Sequence, residues 1–370
     1  MSGIQIDLAT PEDDASIRAL LRQEPMPGQI SLSYQREPSF FSSCAVTGDD
    51  CSVLVARSEN SREIVALATR STRRVFVNGH PQRLGYLSQL RIASRYRGQW
   101  LLSRGFAKLK ELHQADPLPA YLVSIVAGNP QATGVLVHRR RPSFPIFHPV
   151  AEFRTLALRP RHANPKLPVG ISIHPATPSQ LEEIAQFLSK HGPNRQFFPQ
   201  TTAESLSKLA QYGLTPQDIL VARRAGEIAG ILALWDQSAY KQTILHSYSG
   251  WLSKLRPLVN LAGPLLALPT LPAPGQMLKS ASAAFLCIAQ DDPQIFHSLL
   301  RSQLTAAHSR GLGSLLLGLD LRDPLLPQAL RYRPVVYSSR IYLAEYPAEP
   351  QNGVHAQLDG RPIHLEIATL

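Results

Sequence analysis

The alternation of apolar and polar positions predicts a chain that begins with a strand and continues into a helix. Residues 4–8 alternate between apolar and polar side chains, which is typical of a strand with one buried face. Thr10 and Pro11 then provide a helix N-cap and a first helical residue. Apolar side chains recur at helical spacing over residues 17–21, so we expect this helix to bury one face.

The same opening occurs twice in the chain. Residues 4–21 read IQIDLATPEDDASIRALL, and residues 171–188 read ISIHPATPSQLEEIAQFL, with seven identities and no gap. Val55-Ala56-Arg57 and Val221-Ala222-Arg223 match at nearly the same offset. Two matches in the same order indicate one unit of roughly 165 to 200 residues that has been duplicated.

The rest of the first copy reads as further strands around one long helix. The predicted strands are Cys51–Ala56, Glu63–Val77, Arg83–Ile92, Ala120–Val126 and Phe147–Leu158, and the predicted helix is Arg104–His113. This order predicts a mixed α/β (α+β) fold with an open sheet. We expect domains at 1–160 and 169–370, a linker at 161–168, and an edge strand from Pro362–Ile367 in the C-terminal tail.

Charge and composition favour an anionic partner. The 370 residues carry a formal charge of +11, and residues 1–165 hold 21 Lys/Arg against 13 Asp/Glu. The alternative is that the basic balance only aids solubility. Three cysteines and no secretory signal pattern predict a reducing, cytoplasmic location. The apolar segment 258–274 is interrupted by prolines, so we expect a packed connection and no membrane partner.

The candidate chemistry lies in residues 90–105. A strand ends at Ile92, a basic turn with Gly98 follows, and a helix begins near Trp100. Unpaired N–H groups at a helix N-terminus bind anions, and Gly98 allows the close approach of a phosphate. An ordinary basic surface turn is the alternative interpretation.

Ile92-Ala-Ser-Arg95-Tyr96-Arg97-Gly98 resembles the V-x-P-x-Y-R-G run that opens the acetyl-CoA pyrophosphate loop of GNAT N-acetyltransferases. Asn129-Pro-Gln-Ala132 is similar to the N-x-x-A that follows the family's fifth strand, and the order of elements agrees as well. The resemblance covers most of residues 4–158. It implies two tandem GNAT-like domains, each a mostly antiparallel twisted sheet flanked by helices, with acetyl-CoA as co-substrate.

The resemblance also implies roles for individual residues. Main-chain N–H groups of the turn would hold the CoA pyrophosphate, the strand before it would run beside the pantetheine arm, and Asn129 would lie near that arm. The implied cofactor-binding residues are Leu90, Arg91, Ile92, Arg95, Arg97, Gly98, Gln99, Trp100, Leu101, Leu102 and Asn129. The basic run 138–141 either reaches the 3′-phosphate or forms a solvated turn.

The sequence departs from the family pattern in three places. Trp100 replaces a small residue and would crowd the phosphate cradle, and Leu136 stands where the family often has a Tyr acid. The strand before the loop offers Ser88 and Gln89 where a carboxylate base is common. The expected acid–base pair is therefore absent from its usual places.

Residues 25–41 border the acceptor pocket of the resembled fold, and they offer substitutes for the missing acid and base. We predict Glu37 as a general base, and Tyr34 or Tyr121 as the acid. The alternative is that Phe40 and Phe41 are core residues and that Glu37 belongs to a surface ion pair.

The second copy departs further. Its expected loop, residues 288–296, has no glycine and carries Asp291 and Asp292, which would repel a pyrophosphate. Either Asp291 or Asp292, with Pro293 just inside the helix, is typical of a helix N-cap. We therefore expect residues 169–347 to be a degenerate copy without CoA.

These observations predict an acetyl-CoA-dependent N-acetyltransferase that acts on a small-molecule or peptide amine. A catalytically silent acyl-CoA-binding or scaffold module is the alternative. No histidine pairs at metal-binding spacing, so no metal is expected, and nucleic acid, suggested by charge alone, is not an expected partner. The acceptor and the oligomeric state, a homodimer included, stay open.

The loop assignment predicts one CoA site per chain. Gly98→Glu should abolish CoA binding in isothermal titration calorimetry, because a bulky acid would occupy and repel the pyrophosphate position. Asp291→Asn should leave CoA binding unchanged. If the wild-type protein showed no CoA binding even at high CoA concentration, the loop assignment would be wrong.

Overall fold

The computed structural model describes residues 3–26, 28, 30–59, 61–97, 99–137, 141–162, 167–249, 272–346 and 353–370. The strands are β1 Ile4–Leu8, β2 Ile30–Gln35, β3 Asp50–Ser58, β4 Ile64–Val77, β5 His80–Ile92, β6 Tyr121–Val126, β7 Ile146–Leu158, β8 Ile171–Pro175, β9 Ile219–Arg224, β10 Glu227–Trp235, β11 Gln242–Tyr248, β12 Ser280–Ile288, β13 Ser314–Asp320 and β14 Val335–Glu345. The helices are α1 Asp14–Gln23, α2 Phe40–Cys44, α3 Gln99–Ala115, α4 Pro130–Leu136, α5 Leu181–His191, α6 Ala203–Lys208, α7 Pro293–Ser309, α8 Leu326–Leu330 and α9 Val354–Gln357.

The predicted duplication is visible in how both copies begin. β1 and β8 have the same pattern of buried and exposed residues, and each leads through a 3₁₀ turn into a helix. Thr10 and Thr177 cap these turns, and their main-chain N–H groups donate to Asp13 (2.8 Å) and Gln180 (2.9 Å). Each reciprocal cap satisfies helix N–H groups that would otherwise lack partners.

Twelve strands form one continuous sheet in the order β1-β3-β4-β5-β6-β14-β7-β13-β12-β10-β9-β8. The two halves of this order mirror each other, and the only parallel pairs recorded among the described strands are β5–β6 and β12–β13. The remaining pairs are antiparallel, which confirms the predicted mixed, mostly antiparallel sheet. β2 and β11, one from each copy, form a separate two-stranded sheet.

The last strands of the two copies are exchanged. β14 lies between β6 and β7 of the first copy, and β7 pairs with β13 of the second copy. Ile341 and Leu343 of β14 are fully buried, which stabilises the native state by about 1.5–3 kcal/mol for each side chain. The sheet is thus continuous across the predicted linker 161–168, and the domain boundaries stay a prediction.

Helices complete the layers of the first copy. α1 packs on β3 and β4 through Ile17 and Leu21, while α3 packs towards β6, β7 and β14 through Phe106 and Leu109. At the C-terminal end of α3, Asp116 accepts from Arg70 (2.9 Å) and Arg83 (2.6 Å). These two guanidinium groups, Arg83 first, lower the pKa of Asp116 to about 2, so this anchor stays charged at neutral pH.

The C-terminal tail does not form the edge strand that the sequence predicts. Residues 362–367 do not form an edge strand, because only Ile363 forms a bridge, with Gln196. Instead the buried Glu366 carboxylate accepts the main-chain N–H of Phe285 (2.7 Å), which has a positive φ of 53° inside β12. The tail therefore satisfies the main-chain N–H of Phe285 at an irregular point of the sheet.

The predicted proline-rich connection 258–274 lies mostly outside the described residues. None of the helices that the structure describes is long and apolar enough to span a membrane.

The strand exchange predicts that the first copy does not fold alone. A fragment of residues 1–160 lacks β14 and β13, so β7 loses both of its neighbours and β6 keeps only its short pairing with β5. We expect no cooperative thermal transition for this fragment in circular dichroism, and recovery of one on co-expression with residues 161–370. A cooperative, monomeric fragment would show that β6 and β7 can pair directly.

Candidate acyl-donor site

The candidate site exists because β5 and β6 separate soon after they meet. They pair only at Gly85–Tyr121 and Tyr86–Leu122. Beyond these pairs β5 contains a bulge, where Gln89 has a φ of +56° and the register with β4 shifts. A bulge bends its strand and increases its twist, so the end of β5 turns away from β6.

A cleft of about 470 Å³ opens at this separation. It is lined by Glu24, Pro25, Met26, Leu90, Arg91, Ile92, Arg97, Leu102, Asn129, Gln131, Ala132, Val135 and Leu136. Six of the eleven residues predicted to bind the cofactor line this cleft. They come from the end of β5, from the turn and the start of α3, and from the residue before α4.

The turn between β5 and α3 is held by a carboxylate that the sequence analysis did not identify. Glu24, at the end of α1, accepts the main-chain N–H (2.8 Å) and the hydroxyl (2.8 Å) of Ser94. It also accepts from the Arg97 guanidinium (2.9 Å). The turn is thereby fixed above the cleft, beside the unpaired N–H groups expected in the first turn of α3.

The arginines around the turn point in different directions. Arg97 lines the cleft, whereas Arg95 forms an ion pair with the half-exposed Glu63 outside it. Arg104 stacks on the ring of Trp100, 5.9 Å from the ring centroid. Of these three arginine side chains, only that of Arg97 lines the cleft.

Trp100 does not crowd the cradle in the way its size suggests. Its side chain is 43% exposed and does not line the cleft. Leu101, the next residue, is buried against the sheet. Gly98, the side chain of Gln99 and residues 138–140 lie outside the described part of the structure; Arg141 of that basic run donates to the Ser103 hydroxyl (2.7 Å).

Asn129 opens the opposite wall of the cleft. Its side-chain oxygen accepts the main-chain N–H of Ala132 (3.0 Å) and so caps α4. This cap explains the N-x-x-A spacing as local helix chemistry, and it places Asn129 at the cleft.

An apolar cavity of about 120 Å³ continues from the cleft between α3 and the sheet. The two share Leu90, Ile92, Leu102 and Leu136 as lining residues. Gly105 also lines the cavity, and a Cβ at this position would meet no other atom within 4 Å. The missing side chain at Gly105 is one reason why the cavity is open.

Tyr34 lies near the site, on β2. Burial raises the pKa of its hydroxyl, while the neighbouring Arg91 and Arg36 act in the opposite direction. Among the described residues no hydrogen-bond partner of this hydroxyl is recorded. Tyr34 is therefore protonated at neutral pH and has a free donor.

The other two catalytic candidates are held elsewhere. The Glu37 carboxylate accepts from Arg18 and Arg22 of α1, which holds it against that helix. Tyr121 is fully buried and bonded to Arg70 (3.2 Å) and His113 (3.0 Å). It lies at the start of β6, roughly 17 Å along the strand from the end that leads to Asn129. The structure therefore does not bring Tyr121 to the site.

The equivalent place in the second copy is filled by side chains. Arg195 donates to Asp291 (2.6 Å) and to Asp323 (2.9 Å), and only about 40 Å³ of space remains beside them. Asp292 accepts from the main-chain N–H groups of Gln294 (2.7 Å) and Ile295, as expected for an N-cap.

One further cluster has metal-binding residue types. Donor atoms of His148, Glu345 and His355 lie within 4.8 Å of one another. However, the two imidazole rings stack with centroids 3.4 Å apart and planes 7° apart. Lone pairs in two parallel ring planes do not converge on one ion, so this arrangement stabilises a contact between the copies.

The comparisons with known proteins concern the fold. No family model and no curated protein sequence matches the chain. Three solved structures resemble it over nearly its whole length. Saccharomyces cerevisiae N-myristoyltransferase with bound myristoyl-CoA has a TM-score of 0.62 at 11% identity, over 95% of this chain and 84% of that one.

A GCN5-related N-acetyltransferase from Sphaerobacter thermophilus has a TM-score of 0.55 at 14% identity, over 92% and 95% of the two chains. A GCN5-related glucosamine N-acetyltransferase region in a fungal multi-domain β-N-acetylglucosaminidase has a TM-score of 0.57 at 16% identity, and the match covers 93% of this chain and 38% of that one. At these identities the likeness establishes the architecture, and this chain has the GNAT fold, present as two tandem copies in one sheet.

Proposed function

We propose that the chain is an acyl-CoA-dependent N-acyltransferase whose donor binds in the first copy. One observation carries this proposal: a single cleft connects a helix N-terminus and a cationic side chain at one end with an apolar cavity at the other. CoA thioesters have this distribution of chemistry, with a diphosphate at one end and an acyl chain at the other. The solved structures of similar fold include N-acyltransferases.

Each part of the cleft has a task in this proposal. Arg97 and the first turn of α3 hold the diphosphate. Asn129 and the main chain of Leu90 to Ile92 border the pantetheine arm. Main-chain groups of β5 that face the gap have lost β6 as a partner, so their N–H groups are available to polarise the thioester carbonyl.

The donor supplies an activated carbonyl, to which the acceptor nitrogen bonds as CoA leaves. Positioning of the two reactants provides much of the rate enhancement. Tyr34 keeps its proton at neutral pH and is the acid that we propose for the leaving thiolate. Glu37 stays a prediction as a base, with its two ion pairs arguing for a structural role, and the remote position of Tyr121 argues against its use as an acid.

The apolar cavity supports a donor that carries more than an acetyl group. An apolar cavity of roughly 150 Å³ holds a molecule of benzene, so about 120 Å³ holds several acyl carbons beyond the carbonyl. Acetyl-CoA, the donor predicted from sequence, would leave this space empty. The acceptor in this proposal is an amine on a small molecule or a peptide.

A silent acyl-CoA-binding module is the second candidate. It is favoured by the engagement of Glu37 and the distant position of Tyr121, which leave a single free acid near the cleft. It predicts donor binding without release of CoA thiol across a panel of amines, whereas the enzyme releases thiol with at least one of them.

The donor's phosphates can be tested with two neighbouring arginines. Arg97→Met should raise the dissociation constant of CoA about five- to tenfold, because a cation that lines the cleft is lost. Arg95→Met removes the same charge outside the cleft and should change the constant by less than about twofold. Equal effects in calorimetry would contradict the assigned orientation of the donor.

The acyl cavity can be tested at Gly105. Gly105→Leu should fill the cavity and weaken hexanoyl-CoA binding about tenfold or more, while acetyl-CoA binding changes less than about twofold. Gly105→Ala is the matched control and should stabilise α3 by about 0.5–1 kcal/mol. A wild-type protein that binds both donors equally would show that the cavity does not receive the acyl chain.

A further inference from the structure

Two neighbouring arginines, of which Arg91 lines the cleft, have no acidic partner among the described residues. Arg36 is 6% exposed, and its recorded hydrogen bond goes to the main-chain oxygen of Gln35 (2.9 Å). Arg91 donates to the main-chain oxygen of Leu90 (2.8 Å). Within the described residues no carboxylate side chain lies at ion-pair distance from either one. Because each guanidinium has five N–H donors, most of this capacity is unused by side chains or main chain.

Strand geometry directs Arg91 away from the acyl cavity. Leu90 and Ile92 line both the cavity and the cleft, whereas Arg91 lines the cleft alone. Successive side chains of a strand point to opposite faces, so Arg91 projects to the face that β2 covers. There it interacts electrostatically with Tyr34 and Arg36.

The pairing of β2 with β11 adds a third cation. Gln35 lies opposite Gln242, so Arg36 comes beside Lys241 at the end of the ladder. The Nζ of Lys241 donates to main-chain oxygens of Ala368 (2.8 Å) and Leu370 (3.1 Å). Lys241 is thus occupied by the C-terminal segment, and Arg36 and Arg91 remain available.

The charges affect one another in the way expected of neighbouring cations. Burial and the proximity of Arg91 lower the pKa of Arg36 to about 10, and burial also lowers the pKa of Arg91. Both side chains are still charged at neutral pH. Removing a guanidinium from water costs free energy, and the attraction of a nearby anion offsets this cost. The described residues supply no carboxylate at ion-pair distance from Arg36 or Arg91.

We infer that Arg36 and Arg91 bind an anionic group of the acceptor, so that the substrate is an amine that also carries a carboxylate or a phosphate. This inference rests on the proposed acyl transfer, because it assigns the second substrate of the same cleft. The two cations also disfavour an ammonium ion nearby, which favours the neutral amine that attacks a thioester.

Paired acceptors test the inference directly. β-Alanine is compared with β-alaninamide, and O-phosphoethanolamine with ethanolamine, by release of CoA thiol from acetyl-CoA and hexanoyl-CoA. The wild-type protein should prefer the anionic member of at least one pair by about tenfold or more in kcat/KM. The pair that shows the preference distinguishes carboxylate from phosphate.

Variants then identify the residues responsible. Arg36→Met and Arg91→Met should each remove about tenfold of that preference through the KM of the anionic acceptor, leaving kcat/KM for the neutral amine within about twofold. The pantetheine arm in the proposed function meets only the main chain at Arg91, so a change of this side chain tests the acceptor if the dissociation constant of acyl-CoA also stays within about twofold. Arg91→Lys should keep part of the preference. Arg331→Met, at an exposed arginine of the second copy, is the charge-matched control. If Arg36→Met fails to fold, Arg91→Met still decides the result.

Several outcomes would overturn the inference. These are equal turnover of both members of each pair, equal losses for charged and neutral amines, or a weaker acyl-CoA affinity in Arg91→Met, which would assign Arg91 to the donor. Failure of the proposed function is a different result: no thiol release with any amine. In that case saturation-transfer NMR with the same pairs and CoA decides the inference, and an arginine-dependent preference for the anionic member would support it.

Discussion

Two residue pairs hold β5 and β6 together, and the bulge at Gln89 prevents further pairing. The rest of the site depends on this limited ladder. Strands that separate leave main-chain groups without partners, and the protein must either cover these groups or offer them to a ligand. Here α3 begins shortly after the separated end of β5, and residues of both elements, Leu90, Ile92 and Leu102, line one cleft.

The exchange of β7 and β14 makes the two copies depend on each other. Each copy supplies the strand that completes the central region of the other, and β2 with β11 repeats this arrangement on a smaller scale. The second copy therefore stabilises the first through main-chain hydrogen bonds and buried apolar side chains. It also brings Lys241 next to Arg36, one of the two residues that we propose for the acceptor.

The two copies share a fold but differ in the space that remains beside the turn after the fifth strand of the copy, β5 in the first copy and β12 in the second. In the first copy one carboxylate, Glu24, fixes the turn and leaves a cleft of about 470 Å³. In the second copy Arg195 joins two carboxylates across the equivalent space, and about 40 Å³ remains. In the first copy Arg36 and Arg91 have no acidic partner among the described residues, whereas Arg195 in the equivalent space of the second copy is paired with two carboxylates. This difference is the reason why we propose the first copy, and not the second, as the place where the anionic donor binds.

The amino-acid sequence by itself determined the features that depend on near neighbours: the duplicated strand–helix opening, the caps at Thr10 and just before Pro293, and the basic turn before α3. Such features follow from spacings of a few residues, which is why they could be predicted. Tertiary structure decided which strands pair, and with it the positions of Tyr121 and the C-terminal tail. It also decided that Glu37 bonds to α1 and that Trp100 faces solvent. These contacts join residues far apart in the chain, and no local pattern specifies which distant partner a side chain will meet.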